Sequence, residues 1–319
     1  MKKLHVLFFA MLLSLLVLAG CNASNGNETK EEANQTEQTE GAFPVTVTDA
    51  SGNDVTIEKE PEKIVSLIPS NTEIAFALGL GEKMVGVSDN DNYPEEVADI
   101  EKIGGMDFNV EKIISLKPDI VLAHESGAHN SEEGLDQLRN AGITVFVVKS
   151  ATSFEQVYET MNTIGKITGT SDKANTVVKE MKAQVEEISA KAADIPEEDR
   201  KNVYIEIDST PFAAGKNNFM DEMLGIIQAN NVITEEGWPQ VSAEAVIKAN
   251  PDVIITTYGS YTPDVVDQVL KRDGWQSVTA IKEKRVHDVN PDLVNRPGPR
   301  LVEGVEELAK VIYPEVFKK

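Results

Sequence analysis

From residue 43 onward, short apolar runs alternate with stretches of helical period, and the alternation occurs in two series. Val45, Val47, Val55 and Ile57 alternate with polar residues around Ser51-Gly52-Asn53-Asp54, which predicts a β-hairpin. "KIVSLIPS" then predicts a buried strand. "NTEIAFALGLG" predicts a helix capped by Asn71 or Thr72 and ended by Gly79 or Gly81. "MVGVSD" is the next expected strand. A helix headed by Glu111 leads into strand "DIVLAH", and a polar helix around Leu135 leads into "TVFVV". Between Ser153 and about Asp194 the strand pattern stops. Phe154, Val157, Met161 and Ile164 recur at helical spacing, as do Val178, Met181, Val185 and Ile188. The expectation is a shorter helix, a break near Gly169, and one long helix closed by Pro196 and "EEDRK". The second series runs through strand "NVYIEID", helix "FMDEMLGIIQ", a helix headed by Glu244 and strand "DVIITT". It ends with a helix over about 263–270, strand "RVHDV" and the C-terminal helix "LVEGVEELAKVIY". Strands alternating with helices predict an α/β fold with parallel sheets covered on both faces.

Two segments repeat one another. "NVEKIISLKPDIVLAH" and "SAEAVIKANPDVIITT" each place a Glu before an apolar helical stretch, then Pro-Asp, then a β-rich run. The spacing from Glu111 to Pro118 equals that from Glu244 to Pro251. Pro-Asp before a strand is ordinary helix-stop chemistry. Its corresponding place in both series points to two lobes built alike, and to a ligand cleft between them.

The chain has 319 residues, which suits two domains. A formal charge of −23 argues against a nucleic-acid partner and against adhesion to anionic lipid. An acidic body is steered toward a basic partner. The N-terminus has a short basic head, Lys2 and Lys3, then a mostly apolar run to Leu18, then "LAGC". That ending resembles a bacterial lipobox. The resemblance implies that residues 1–20 are a signal peptide and that Cys21, the only cysteine, is lipidated by a diacylglyceryl group with palmitate as an acyl chain. Residues 21–42 carry no large apolar side chain and are expected to be a disordered tether. The mature chain is then expected on the extracytoplasmic face of the cell membrane, lipid-anchored rather than spanning. The rest divides into an N-terminal lobe (43–152), a helical linker (153–199) and a C-terminal lobe (200–319).

Catalytic signatures are missing. Gly215-Lys216-Asn217 is no phosphate loop, because Thr210 stands where the first Gly is needed. There is no G-x-S-x-G elbow and no H-E-x-x-H. No nucleophile, base and orienter can be named together, so the chain is not expected to be an enzyme. His124, His129 and His287 leave open a zinc-binding or sensor role.

"KIVSLIPSNTEIAFALGLGEKMVGVSDNDNYP", "NVEKIISLKPDIVLAH" and "RPGPRLVEGVEELAK" together resemble the substrate-binding lipoproteins of iron-chelate and cobalamin ABC importers, from about Phe43 to the C-terminus. The resemblance implies two Rossmann-like lobes bridged by a single long α-helix, the class III periplasmic-binding-protein type. It also implies a monomer that closes slightly on its ligand and needs no cofactor. The expected partners are an ABC permease and its cytoplasmic ATPase. In that family a Glu on each lobe meets permease arginines, and the matching positions are Glu111 and Glu244. The alternative for each is service to its own helix N-terminus.

Ligands of such folds bind at strand carboxyl ends. That nominates Ser70, Asn71, Asn90, Met106, His124, Phe212, Trp238, Tyr258, Tyr261 and Arg296. Pro211-Phe212 and Trp238-Pro239-Gln240-Val241-Ser242 resemble elements of the cobalamin binder, so cobalamin is the expected ligand. Aromatic positions of that binder are replaced by Asn90, Gly105 and His124. Haem is a rival, because Met106 matches an axial methionine of a related haem receptor and Tyr258 falls near its second ligand. A ferric siderophore is the third option, with Arg296 and Arg300 as the available cations.

Overall fold

The computed structural model describes residues 43–317. The expected signal peptide, Cys21 and the tether lie outside the described residues. The chain opens with an antiparallel hairpin of β1 (Val45–Thr48) and β2 (Asp54–Ile57), in which Val45 faces Ile57. Asp49 holds the turn by accepting the Ser51 and Asn53 amides, both at 2.9 Å.

The first lobe is built on β3 (Ile64–Ser66), β4 (Met84–Gly86), β5 (Ile120–His124) and β6 (Thr144–Val148). They lie in the order β4-β3-β5-β6, all parallel. The second lobe is built on β7 (Asn202–Asp208), β8 (Phe212–Ala213), β9 (Asn230–Asn231), β10 (Val253–Thr256) and β11 (Val286–Asp288). Its parallel strands run β9-β7-β10-β11, and β8 adds antiparallel pairing at the far end of β7. The two orders match strand for strand, so β3 corresponds to β7 and β5 to β10. The inner strands are almost wholly buried, as parallel strands covered on both faces must be.

This correspondence explains the repeated segment. Helix Val110–Leu116 is N-capped by Asn109, whose side chain accepts the Lys112 amide. Helix Ala243–Ala249 is N-capped by Ser242, which accepts the Ala245 amide. Both helices end in a left-handed residue, Lys117 at φ 51° and Asn250 at φ 47°. Each following Asp then anchors the neighbouring strand. Asp119 accepts the Glu62 and Lys63 amides at 2.9 and 3.0 Å, and Asp252 accepts the Asn202 amide at 2.8 Å. Pro-Asp is thus fastened to the strand beside it in both lobes.

The linker contains helix Phe154–Thr168, a stop at Gly169 with φ 78°, and helix Ser171–Ala192. A Cβ on Gly165 would fall 2.6 Å from the Ala174 Cβ, so glycine lets the two helices meet closely. Ala174, Val178, Met181, Ile188 and Ala192 bury the long helix in one continuous apolar cluster. That cluster takes in Ile64, Ile120 and Phe146 of the first lobe and Val203, Leu224 and Ile255 of the second. Full burial of each larger side chain favours folding by ~1.5–3 kcal/mol. The joint is therefore core, not hinge.

One boundary differs from expectation. The helix after β3 runs Pro69–Ala77, and its N-cap Ile68 makes no side-chain cap bond. Proline suits the first helical position because its fixed φ is helical and it has no amide to leave unpaired. Asn71 is not the cap. It is buried, and its amide donates to the carbonyls of Leu122 and Ala123 at 3.4 and 3.0 Å. Gly79, at φ 81°, ends the helix as expected.

Candidate functional site

The carboxyl ends of the first-lobe strands surround a cavity of about 340 Å³. Pro69 reaches it after β3, Asn90 after β4, and His124 at the end of β5; Met106, Asp107 and Phe108 add another wall. Four nominated positions meet here or beside it: Asn90, Met106 and His124 line the cavity, and Ser70 is buried next to Pro69. No Lys or Arg is among the lining residues, and Asp107 is one of them. A larger cavity, about 750 Å³, lies between the hairpin and helix Glu132–Asn140. Asp54, Glu125, Glu132, Asp136 and Arg139 line it, and none of the nominated residues does.

His124 ends β5 with its Nδ1 accepting the Ser126 amide at 3.2 Å. Burial pushes its imidazole below the ordinary histidine value, against the opposing pull of Glu125. The three histidines named for zinc are not brought together. Among the described residues no group of three or more His, Cys, Asp or Glu side chains is placed to hold a metal ion.

The carboxyl ends of the second-lobe strands carry aromatics. Phe212 lies in β8, whose neighbours Pro211 and Ala213 bond to Val241 and Pro239; the two segments singled out in the sequence are therefore adjacent. Trp238 sets its edge against Phe219, ring centres 5.8 Å apart. Tyr261 follows β10 and tilts against Tyr258 at 6.1 Å. Met106 is 83% exposed, Tyr261 63%, Trp238 41% and Phe212 39%; apart from Tyr93 and Ile114, these are the exposed large apolar side chains among the described residues. Burial, then the Asp208 carboxylate, pushes the Tyr261 phenol upward.

Two nominations have other employment. Tyr258 is buried, and its hydroxyl donates to Glu206. Glu206 also takes a two-pronged ion pair from Arg272, at 2.7 and 2.8 Å, and a bond from Tyr204 at 3.3 Å. Tyr258 is therefore a core residue and is not available as an iron ligand. Arg296 binds Glu73 at 2.8 Å, Asn92 at 2.7 Å and Asp292 at 2.8 Å. Arg300 binds the same Glu73 through Nε at 2.9 Å and Nη2 at 2.6 Å, and stacks 3.9 Å over Tyr93. The arginines expected to offer charge to a ligand instead clamp the C-terminal segment to the first lobe. Sequence reasoning missed Glu73. Its signal was a lone acid inside the apolar helix "NTEIAFALG", where burial demands a cation.

Glu111 and Glu244 both stand exposed in the first turns of their matched helices. Ile114, one turn beyond Glu111, is also exposed. No helix among the described residues is long and apolar enough to cross a membrane.

A family model described as "Periplasmic binding protein" matches residues 64–293. The chain is 50% identical over 322 residues to the "Uncharacterized ABC transporter substrate-binding lipoprotein YvrC" of Bacillus subtilis (strain 168), covering all of both chains. It is 31% identical over 283 residues to a "Cobalamin-binding protein" of Halobacterium salinarum, covering 85% of this chain and 75% of the relative. Among solved structures it resembles a possible iron-binding (periplasmic solute-binding) protein from Staphylococcus epidermidis. The TM-score is 0.73 at 38% identity, over 80% of this chain and 100% of that one.

Proposed function

The chain belongs to the periplasmic binding protein family, as a substrate-binding protein of an ABC importer, and from that premise we propose that its cargo is cobalamin, held between the lobes. The observation that carries this reading is the charge of the candidate site. The first-lobe cavity has Asp107 and no cation, and Arg296 and Arg300 are committed to Glu73. An anionic siderophore or the propionates of haem would meet an acid without a compensating base. A corrinoid periphery of neutral amides meets no such cost. The exposed rings of Phe212, Trp238 and Tyr261 suit a broad, partly apolar ligand. The relative named a cobalamin-binding protein supports the same choice. The iron-binding description of the S. epidermidis relative supports a ferric siderophore as the second reading. Haem, favoured by the exposed Met106, is the third.

Delivery to the permease is assigned to Glu111 and Glu244, because charge-assisted arginine–carboxylate pairs are strong and directional. Anchoring at the extracytoplasmic face is assigned to lipidated Cys21.

Tryptophan fluorescence tests the cargo. Of the two tryptophans, Trp275 is buried and Trp238 is exposed. Cyanocobalamin should quench Trp238 saturably, one to one, and Trp238→Ala should weaken binding roughly tenfold or more, the loss of one stacked aromatic. Saturable binding of hemin or a ferric siderophore in place of cyanocobalamin would replace the cargo assignment.

A further inference from the structure

His124 ends β5 in the wall of the first-lobe cavity. Its Nδ1 accepts the Ser126 backbone amide at 3.2 Å and lies 2.8 Å from the Ser126 hydroxyl. A backbone amide can only donate, so this contact takes a lone pair from Nδ1, while the Ser126 hydroxyl can turn to donate or to accept. In the neutral ring the proton then sits on Nε2. A doubly protonated ring would aim Nδ1–H at the Ser126 N–H, and burial already disfavours the charged form. Histidines that bind metal through Nε2 ordinarily keep the proton on Nδ1 and donate it to a carbonyl or carboxylate. His124 has the opposite arrangement.

We propose that His124 selects the ligand as a hydrogen-bond donor through Nε2–H, not as a metal ligand, and that it meets a carbonyl-type oxygen on the ligand's edge. Such an oxygen could belong to a neutral amide or a carboxylate. Asp107 in the lining of the same cavity, with no Lys or Arg there, assigns the amide. The inference rests on the reading of this cavity as the cargo site.

Two substitutions separate the two ring nitrogens. His124→Asn keeps an acceptor within reach of the Ser126 amide but withdraws the donor from the cavity. His124→Gln keeps a donor near the Nε2 position. Cyanocobalamin and aquocobalamin should both bind about three- to tenfold more weakly to His124→Asn, the loss of one hydrogen bond. His124→Gln should stay within about twofold of the wild type. The visible spectrum of aquocobalamin, whose axial water is exchangeable, should not change on binding. A wild-type spectral shift to a nitrogen-ligated form that both variants abolish would overturn the proposal. Equal affinity of the wild type and His124→Asn would also overturn it. Cobyrinic acid, with carboxylates in place of the amides, should bind more weakly than cobyric acid, which keeps the amides and likewise lacks the nucleotide, and equal or tighter binding would overturn the amide assignment. Nitrogen-15 NMR of the free protein decides the tautomer without any ligand. A protonated Nε2 is expected near neutral pH, and a protonated Nδ1 sinks the inference. If the wild type binds neither corrinoid, the cargo reading and the amide assignment have both failed, and a protonated Nδ1 would sink the donor role as well.

Discussion

Replacing Glu73 by Gln removes the charge at the centre of the clamp between the first lobe and the C-terminal segment. The carboxylate is 2% exposed and accepts from Arg296 Nη1 at 2.8 Å and from Arg300 Nε and Nη2 at 2.9 and 2.6 Å. Gln keeps the shape and one acceptor oxygen. Its amide group must then face a guanidinium, and Asp292 is left as the acid paired with Arg296. Removing one partner of a buried ion pair costs ~3–5 kcal/mol. The retained oxygen, and the bonds of Arg296 to Asn92 and Asp292, bring the expectation to ~2–4 kcal/mol. For a folded body of this size each kcal/mol moves Tm by ~2–4 °C, so Tm should fall by roughly 5–15 °C. Thermal unfolding of the ligand-free mature chain measures it. The loss should persist in high salt, because screening barely reaches a buried pair. Converting the whole cluster to apolar residues (Glu73→Leu with Arg296→Met and Arg300→Met) should recover much of the loss, since buried ion pairs often gain little over well-packed hydrocarbon. A Glu73→Gln protein that melts within about 2 °C of the wild type would refute the clamp.

Three further outcomes are expected. Glu111→Ala with Glu244→Ala should leave corrinoid affinity and helix content intact while cellular uptake falls at least about tenfold; normal uptake would remove the docking role. Burial pushes the Asp119 carboxyl upward, but the Glu62 and Lys63 amides and the Lys59 ammonium outweigh it and hold it below the usual carboxylate range. An acid depressed in the native state adds stability above its unfolded-state pKa and loses it as pH falls through the native value. Asp119→Asn should therefore be less stable by about 1 kcal/mol at neutral pH, with the gap closing in acid; a gap that stays constant in urea titrations at low pH would contradict the anchoring role. Cys21→Ala should release the chain into the medium, and unchanged membrane retention in cell fractionation would disprove the anchor.

Periodicity made most of the fold legible. The alternation of Val45, Val47, Val55 and Ile57 marked the hairpin, and the heavily apolar runs before His124 and Thr257 marked inner strands, because burial on two faces needs such composition. The Phe154 and Val178 series marked the linker helices, and Gly169 the break between them. Short pieces were not legible. β8 and β9 have two residues each, too few for any period to register. The helix boundary at Pro69 was also missed, because a strand that runs straight into a proline-started helix has no polar cap to announce it. Within the site, position relative to strand ends was readable, and Asn90, Met106 and His124 line one cavity. What side chains do there was not. The partners that bury Tyr258 and commit Arg296 lie 52 and 223 residues away in sequence, beyond the reach of any local pattern.

The repeated segment carries one more argument. A Glu early in a helix needs no function beyond its own N-terminus if it caps that helix or offsets its dipole. In both copies the cap is already supplied by a different side chain, Asn109 in the first lobe and Ser242 in the second. The strand-anchoring task belongs to Asp119 and Asp252. The buried side of each helix is held by Ile113 and Val246, two residues after the Glu. Every structural duty of the unit is therefore discharged without Glu111 or Glu244, apart from a dipole effect of ~0.3–1 kcal/mol that an Asp, or a Glu one residue away, would provide equally. Matched topology places the two carboxylates at equivalent points of two lobes joined by a stiff core. On the docking proposal, two fixed charges on such a body form a ruler, and a partner with two basic contacts at the right separation reads the spacing of the lobes through it.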